Sequence, residues 1–384
     1  MPGIKELTNI WENIREVDLR PIRDEAAREV KILLVGGQGS GRETLAENLR
    51  QDPARPGLRS TTPVAIFDLE VAEQVVKSAD LIVMLTGAAG ADRLERQRTL
   101  AQEWTRAGKK VIVFHNVSDQ AAGSKNSGLD YTWEASKMLV GPANDPEYLL
   151  ENFVPAVLEL LPDAHLALAR HFPLFRLPVA KDLINDTSFS NAVYSLSTGL
   201  AEVVPVLDIP LNISDMIVLT KAQAFLVYRL GLAFGFSTEW QDYLSEFGSV
   251  VGGGFLWRQL ARQLVGLIPV WGIVPKVAVA YAGTYVVGNV VLRWYLTGRK
   301  VSPEQIREMY REAFAQGKNV ARELISRFPR PRLGRRKARQ LPGKAEAAGQ
   351  TCLNCGKTSG ADARYCQYCG QPLLGKAEGS AAEK

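Results

Sequence analysis

The apolar positions change their rhythm along the chain, and each change marks a new kind of element. Ile4, Leu7, Ile10, Trp11, Ile14 and Val17 recur at helical spacing ahead of Pro21, which predicts a helical arm over residues 1–30 that packs on the next domain. A partner-binding helix is the alternative for that arm. Beyond it the pattern turns to short unbroken runs: Ile32 to Val35, Pro63 to Leu69, Asp80 to Ala88, Lys109 to Asp119 and Lys137 to Gly141. Apolar runs of this length alternating with helical patterns predict a parallel sheet covered on both faces, with its ligand site at the carboxyl ends of the strands. From Asn144 helix follows helix, with PEYLLENFVPAVLELLP and HLALARHFPLFR closing a first domain at residues 31–176 and a hydrophobic helical domain occupying 177–328.

The first apolar run leads into the stretch around which the chain is organised, KILLVGGQGSGRET, Lys31 to Thr44. Gly36, Gly37, Gly39 and Gly41 form a glycine-rich turn between a strand and a helix. In a phosphate loop of the form G-x-x-x-x-G-K-[ST], glycines let backbone N–H groups converge on phosphate oxygens, the Lys supplies charge and the hydroxyl ligates magnesium. Gly36 and Gly41 have this spacing, but Arg42, Glu43 and Thr44 follow. The cation survives in another shape, and a carboxylate replaces the magnesium hydroxyl. A dinucleotide-type G-x-G-x-x-G fits badly, since counting from Gly37 and Gly39 its third glycine falls at Arg42.

In this order the segments resemble a translation-factor-class, Era-like, small GTPase domain, which implies an α/β P-loop GTPase-like parallel sheet. The resemblance makes Asn116-Val117-Ser118-Asp119 the counterpart of the guanine-reading N-K-x-D, without its Lys, and Asp68-Leu69-Glu70-Val71 the counterpart of D-x-x-G, without its Gly. Thr61 and Thr62 are the sole candidates for the switch threonine, because only Gln51 to Thr62 separates the first helix from the next strand. The implied nucleotide site comprises Gly36, Gly39, Gly41, Arg42, Glu43, Thr44, Asp68, Asn116 and Asp119, binding GTP or GDP with magnesium weakly or not at all. No catalytic residue is expected, since phosphoryl transfer is almost wholly positioning and charge stabilisation and the chain has altered the groups that supply both. The alternative is an active GTPase in which Arg42 and Glu43 take the roles of Lys and Ser/Thr.

The later region resembles a bacterial GTPase-associated hydrophobic helical domain of unknown function. The residues carrying this are Leu264 to Pro269, the small-residue series Ala278, Ala280, Ala282, Gly283 and Gly288 with Tyr281 and Tyr285, and GKNVARELI from Gly317. Lys276, flanked by Pro269 and Pro275, is expected to divide the apolar run into halves too short to span a membrane. The uncharged stretch Val277 to Leu292 still leaves two readings, a membrane-associated helix or a tight soluble bundle.

Composition adds little until charge is placed along the chain. The 384 residues, 46% hydrophobic and 23% charged, suit two domains with appendages. The net charge of +5 is concentrated in RFPRPRLGRRKARQLPGK, Arg327 to Lys344, which contains no acid and reads as a mobile basic linker at 329–350. A solvated spacer is the default there, against a tether to anionic lipid or a nucleic-acid clamp. The charged N-terminus lacks an apolar signal core, so a cytoplasmic protein is expected, with the inner face of the cell membrane as a location reached through the helical domain and linker.

All four cysteines lie at the end, as Cys352-Leu353-Asn354-Cys355-Gly356 and Cys366-Gln367-Tyr368-Cys369-Gly370. Two such knuckles place four thiolates around one ion, with a following glycine to tighten each turn, and predict structural zinc in a ribbon at 351–374. A redox dithiol pair lacks the βαβ context it needs. The ribbon resembles the short C-terminal zinc ribbons of many bacterial proteins and is expected to bind a protein partner. Nucleic acid is the minor reading, because the loop between the knuckles offers phosphate only Lys357 and Arg364. His115, His165 and His171 have no Cys or carboxylate pattern around them and read as packing residues.

Overall fold

The computed structural model describes residues 18–69, 75–87, 91–117, 133–201, 213–239, 273–299, 301–327, 349–360, 363 and 365–373. The apolar stripe of the N-terminal arm up to Val17, Asp119, the segment Leu264 to Pro269 and nearly all of the basic linker lie outside them.

Two compact units make up the chain, one of 23–180 with 232–236 and the other of the remaining residues, the C-terminal cysteines included. The first opens with helix α1 (Arg20–Ala27), followed by β1 (Ile32–Gly36), α2 (Arg42–Arg50), β2 (Ala65–Phe67), β3 (Leu81–Thr86), α3 (Ala91–Arg106), β4 (Val111–Asn116) and β5 (Lys137–Gly141). The five strands form one parallel sheet in the order β2-β1-β3-β4-β5. β1 and β3 are buried along their whole length and β4 nearly so, whereas β2 and β5, at the edges, are partly open. This is why the central strands read as continuous apolar runs: both faces are covered. On one face Leu33, Val35, Ile82, Met84, Val111 and Val113 pack with Ala101 and Trp104 of α3. Elsewhere in the core Phe114 meets the rings of Tyr148 and Phe153 edge-on, each at 6.1 Å.

After β5 come α4 (Pro146–Tyr148), a π-helical turn (Leu149–Phe153), α5 (Val154–Leu160) and α6 (His165–His171). Asp145 caps α4 by accepting from the Glu147 N–H. These helices belong to the α/β unit, as does the stretch Leu232–Phe236, whose Leu232 and Phe236 carbonyls accept from Arg170 at 3.1 and 3.0 Å.

The other unit is built on most of α7 (Arg176–Ala201) and of α8 (Ile213–Ala233), with α9 (Ile273–Thr297) and α10 (Pro303–Arg327), followed by a small hairpin of β6 (Gln350–Thr351) and β7 (Thr358–Ser359). α9 begins at Ile273 and carries Pro275 and Lys276 in its first turn, so the half of the apolar run from Val277 onward forms one helix, while the half before it lies outside the described residues. Pro275 lies in the first turn, where a missing N–H removes no helical bond. α9 is the one helix among the described residues long and apolar enough to cross a membrane, and 56% of its most apolar window is buried within the protein, as in a core helix. Its small residues admit neighbours: a Cβ on Gly288 would lie 2.7 Å from Ile184 and 3.1 Å from Leu226.

α10 is amphipathic, burying Ile306, Tyr310, Ala313, Gly317, Ala321 and Leu324. At Gly317 the two helices approach so closely that a Cβ would lie 2.9 Å from the Ala278 carbonyl oxygen and 3.0 Å from its Cα. Backbone cannot yield as a side chain can, so Gly317→Leu is expected to lower unfolding free energy by about 1–3 kcal/mol. Denaturant midpoints compared at unchanged slope check this, and an unaltered midpoint contradicts the close approach.

Candidate functional site

In a sheet of this strand order the chain leaves β1 for one side and then for the other, and the crevice at the carboxyl ends of β1 and β3 is where ligands sit in open α/β sheets. The glycine-rich loop emerges there. Gly36 pairs with Leu85, and a Cβ on it would lie 2.5 Å from the Leu85 carbonyl oxygen. Gly87, just past β3, also lies close: its Cβ would be 3.2 Å from Ser40 Cα. Gly39 and Gly41 have φ of +77° and +94°, a region that only glycine enters freely. Gly41 caps α2 with no side-chain bond, leaving the N–H groups of Arg42, Glu43 and Thr44 in the first turn without helical acceptors.

Of the predicted site residues that are described, Arg42, Glu43 and Asp68 come together and bind one another, and Asn116 reaches the loop backbone. Arg42 is 6% exposed, and its Nη1 donates to the Phe67 carbonyl and to Asp68 Oδ1, both at 2.8 Å. The guanidinium thus turns from the loop to the end of β2. Glu43 lies outward with Oε1 3.5 Å from Arg42 Nη2, so one cation faces two carboxylates. Asn116 Nδ2 donates to the Ser40 carbonyl at 3.1 Å and its Oδ1 accepts from the Ala143 N–H at 2.9 Å. This side chain staples the loop to the turn after β5, and a Cβ on Gly41 would strike its amide at 2.3 Å. Thr44 is exposed at the start of α2.

The segment between α2 and β2, where the resemblance seeks a switch, is pinned along its length. The Asp52 N–H donates to the Leu58 carbonyl at 3.2 Å and the Ser60 N–H to the Arg50 carbonyl at 2.8 Å. Thr62 Oγ1 and Ser60 Oγ both donate to the His171 carbonyl, at 2.7 and 3.0 Å. The Asp52 carboxylate is buried and meets Arg55 at 2.8 Å and Arg176 at 3.6 Å. Burial lowers the Arg176 pKa, as does the neighbouring Arg55, while Asp52 opposes both.

Sequence reasoning missed Arg93, because it belongs to no motif. This α3 side chain lies against the loop, its Cζ 2.2 Å from where a Gly37 Cβ would be. Thr86 also went unread; its hydroxyl meets Nδ1 of His115, which is buried edge-on to Trp133 and whose pKa burial lowers, favouring the neutral imidazole.

The second candidate site is the cysteine cluster. The four sulfurs lie within 4.8 Å of one another, with Cys352 to Cys369 at 3.4 Å and Cys355 to Cys366 at 3.6 Å. Tetrahedral zinc with bonds of about 2.3 Å requires sulfur–sulfur edges of about 3.8 Å, so the donor set fits a structural metal such as zinc. Each knuckle closes alike: the Gly356 N–H donates to the Cys352 carbonyl at 2.8 Å and the Gly370 N–H to the Cys366 carbonyl at 2.7 Å, both glycines having positive φ. The Cys366 pKa is lowered to about 4, first by the Cys369 thiol that donates to it, while the same contact raises that of Cys369. A metal ion would replace that shared proton.

Searches against protein-family models and curated proteins return no match to this chain. For the cysteine cluster, elemental analysis of protein purified without chelator is expected to find about one zinc per chain, and Cys366→Ser to abolish it. A ratio near zero for the unaltered protein contradicts a metal centre.

Proposed function

We propose that residues 31–176 are a degenerate P-loop GTPase-like domain that binds nucleotide weakly or not at all, and that the protein acts as a scaffold or sensor rather than an enzyme. The strand order and the loop at the β1/β3 crevice support the ancestry. The observation that carries the loss of activity is Arg42, held by the Phe67 carbonyl and Asp68 at 2.8 Å. Phosphoryl transfer needs a cation on the phosphates and an acid free to position magnesium. Here the two candidates neutralise each other, and Glu43 adds a negative charge where phosphate would approach. The hydroxyl of Thr62, one of two switch candidates, already donates to a backbone carbonyl, so ordering by a γ-phosphate would have to break a formed bond.

The ribbon supplies the interaction surface in this reading. Leu353, at the tip of the first knuckle, is 90% exposed and open to a protein partner. Lys357 lies over the Tyr368 ring at 4.9 Å. Location at the cytoplasmic membrane face rests on the apolar helical region and the basic linker. Cosedimentation with anionic vesicles that salt reverses is the expected result. Recovery wholly in the supernatant at low salt contradicts it.

Restoring the loop tests the main claim. Arg42→Lys with Glu43→Ser removes one carboxylate and frees the cation, and is expected to raise affinity for magnesium GTP at least tenfold, which corresponds to about 1.4 kcal/mol. Fluorescent-nucleotide titration measures it. A loss of affinity would favour the active variant-loop GTPase instead.

A further inference from the structure

Arg229 on α8 carries a charge that the GTPase reading does not use. It is 3% exposed, and among the described residues no carboxylate pairs with it. Its Nη2 donates to the Gly370 carbonyl, its Cζ lies 3.9 Å from the centroid of the Tyr365 ring, and its Nε has no hydrogen-bond partner. A buried guanidinium without a counter-charge costs several kcal/mol, so such groups are retained where an anion answers them.

The knuckle that Arg229 touches is the one a bound metal would charge. Four thiolates around one divalent ion make a net dianion. Gly370 closes the turn that sets Cys366 and Cys369, with φ +73° and its N–H on the Cys366 carbonyl, so the carbonyl held by Arg229 belongs to the metal-binding knuckle. The ribbon is seated around this contact. A Cβ on Gly370 would lie 3.0 Å from Ile22 and 3.1 Å from Phe225, and one on Gly360 would lie 2.7 Å from Val193. A small cleft there is lined by Cys366 and Gln367 of the knuckle together with Asn191, Phe225 and Arg229 of the helices.

We propose that Arg229 is the buried counter-charge of the C-terminal metal centre, so that metal binding and docking of the ribbon on α7 and α8 form one coupled equilibrium. Arg229 is a positioning residue: it touches no ligand sulfur, but it fixes the knuckle backbone and balances the charge. Coupling of this kind is reciprocal. Whatever weakens the dock weakens the metal, and metal removal loosens the dock and uncovers Val193 and Phe225.

The test uses the full chain. Zinc affinity is measured by competition with a chromogenic chelator, and hydrogen exchange is followed over residues 222–232 with and without zinc. Arg229→Met, similar in volume but uncharged, is expected to weaken zinc by about 10- to 100-fold, the usual consequence of losing an outer partner, with Arg229→Lys recovering part of the loss. In the unaltered protein, zinc removal speeds exchange over 222–232. Should Arg229→Met fail to fold, Val193→Glu, which disturbs the dock and no knuckle residue, is expected to weaken zinc in the same direction. Zinc affinity within twofold of the unaltered protein in these variants, or exchange over 222–232 indifferent to zinc, overturns the proposal.

Discussion

Guanidinium groups taken out of water set the constraint on which the rest depends, because each must find partners and each search fixes a segment of chain. Arg42 finds Asp68 and the end of β2, Arg176 lies beside the buried Asp52, and Arg229 finds the second cysteine knuckle. For the buried pair of Arg176 and Asp52, removing one partner leaves a buried charge and costs roughly 3–5 kcal/mol, far more than an exposed ion pair contributes. Segments that would otherwise be loops are therefore held in one arrangement.

The consequence for the α/β unit is a parallel sheet whose glycine-rich loop is tied to its neighbours by polar contacts. Asn116 illustrates it: one amide ties the Ser40 carbonyl to the Ala143 N–H and leaves both its ends occupied. The loop has Gly39 and Gly41 at positive φ and N–H groups without helical acceptors opening α2, and its cation is directed at a carboxylate. The α2–β2 connection holds its hydroxyls on the His171 carbonyl and its carboxylate on arginines. A second arrangement of this connection would have to break these bonds.

The sheet was legible because parallel strands buried on both faces read as unbroken apolar runs, and the loop because its glycines answer to backbone geometry. The cysteine knuckles were legible because metal ligation demands a spacing. What escaped was direction. A motif places Arg42 next to Gly41 but not its rotamer, and nothing along the chain announces that Arg93 reaches Gly37 or that Arg229 reaches Gly370, 141 residues away. Pro275 sits in the first turn of α9 because proline breaks a helix in the interior and is harmless at the start. The assignment of Leu232–Phe236 to the α/β unit was hidden for another reason, since the sequence shows only the end of an apolar helix there.

On the function proposed above, the loop and the α2–β2 connection are already satisfied without a nucleotide. Hydrogen exchange over residues 36–44 and 58–68 of the unaltered protein, with and without millimolar magnesium GTP, measures this most directly. The same exchange is expected in both conditions; slowed exchange across both segments on adding GTP would contradict the claim and establish a working nucleotide switch.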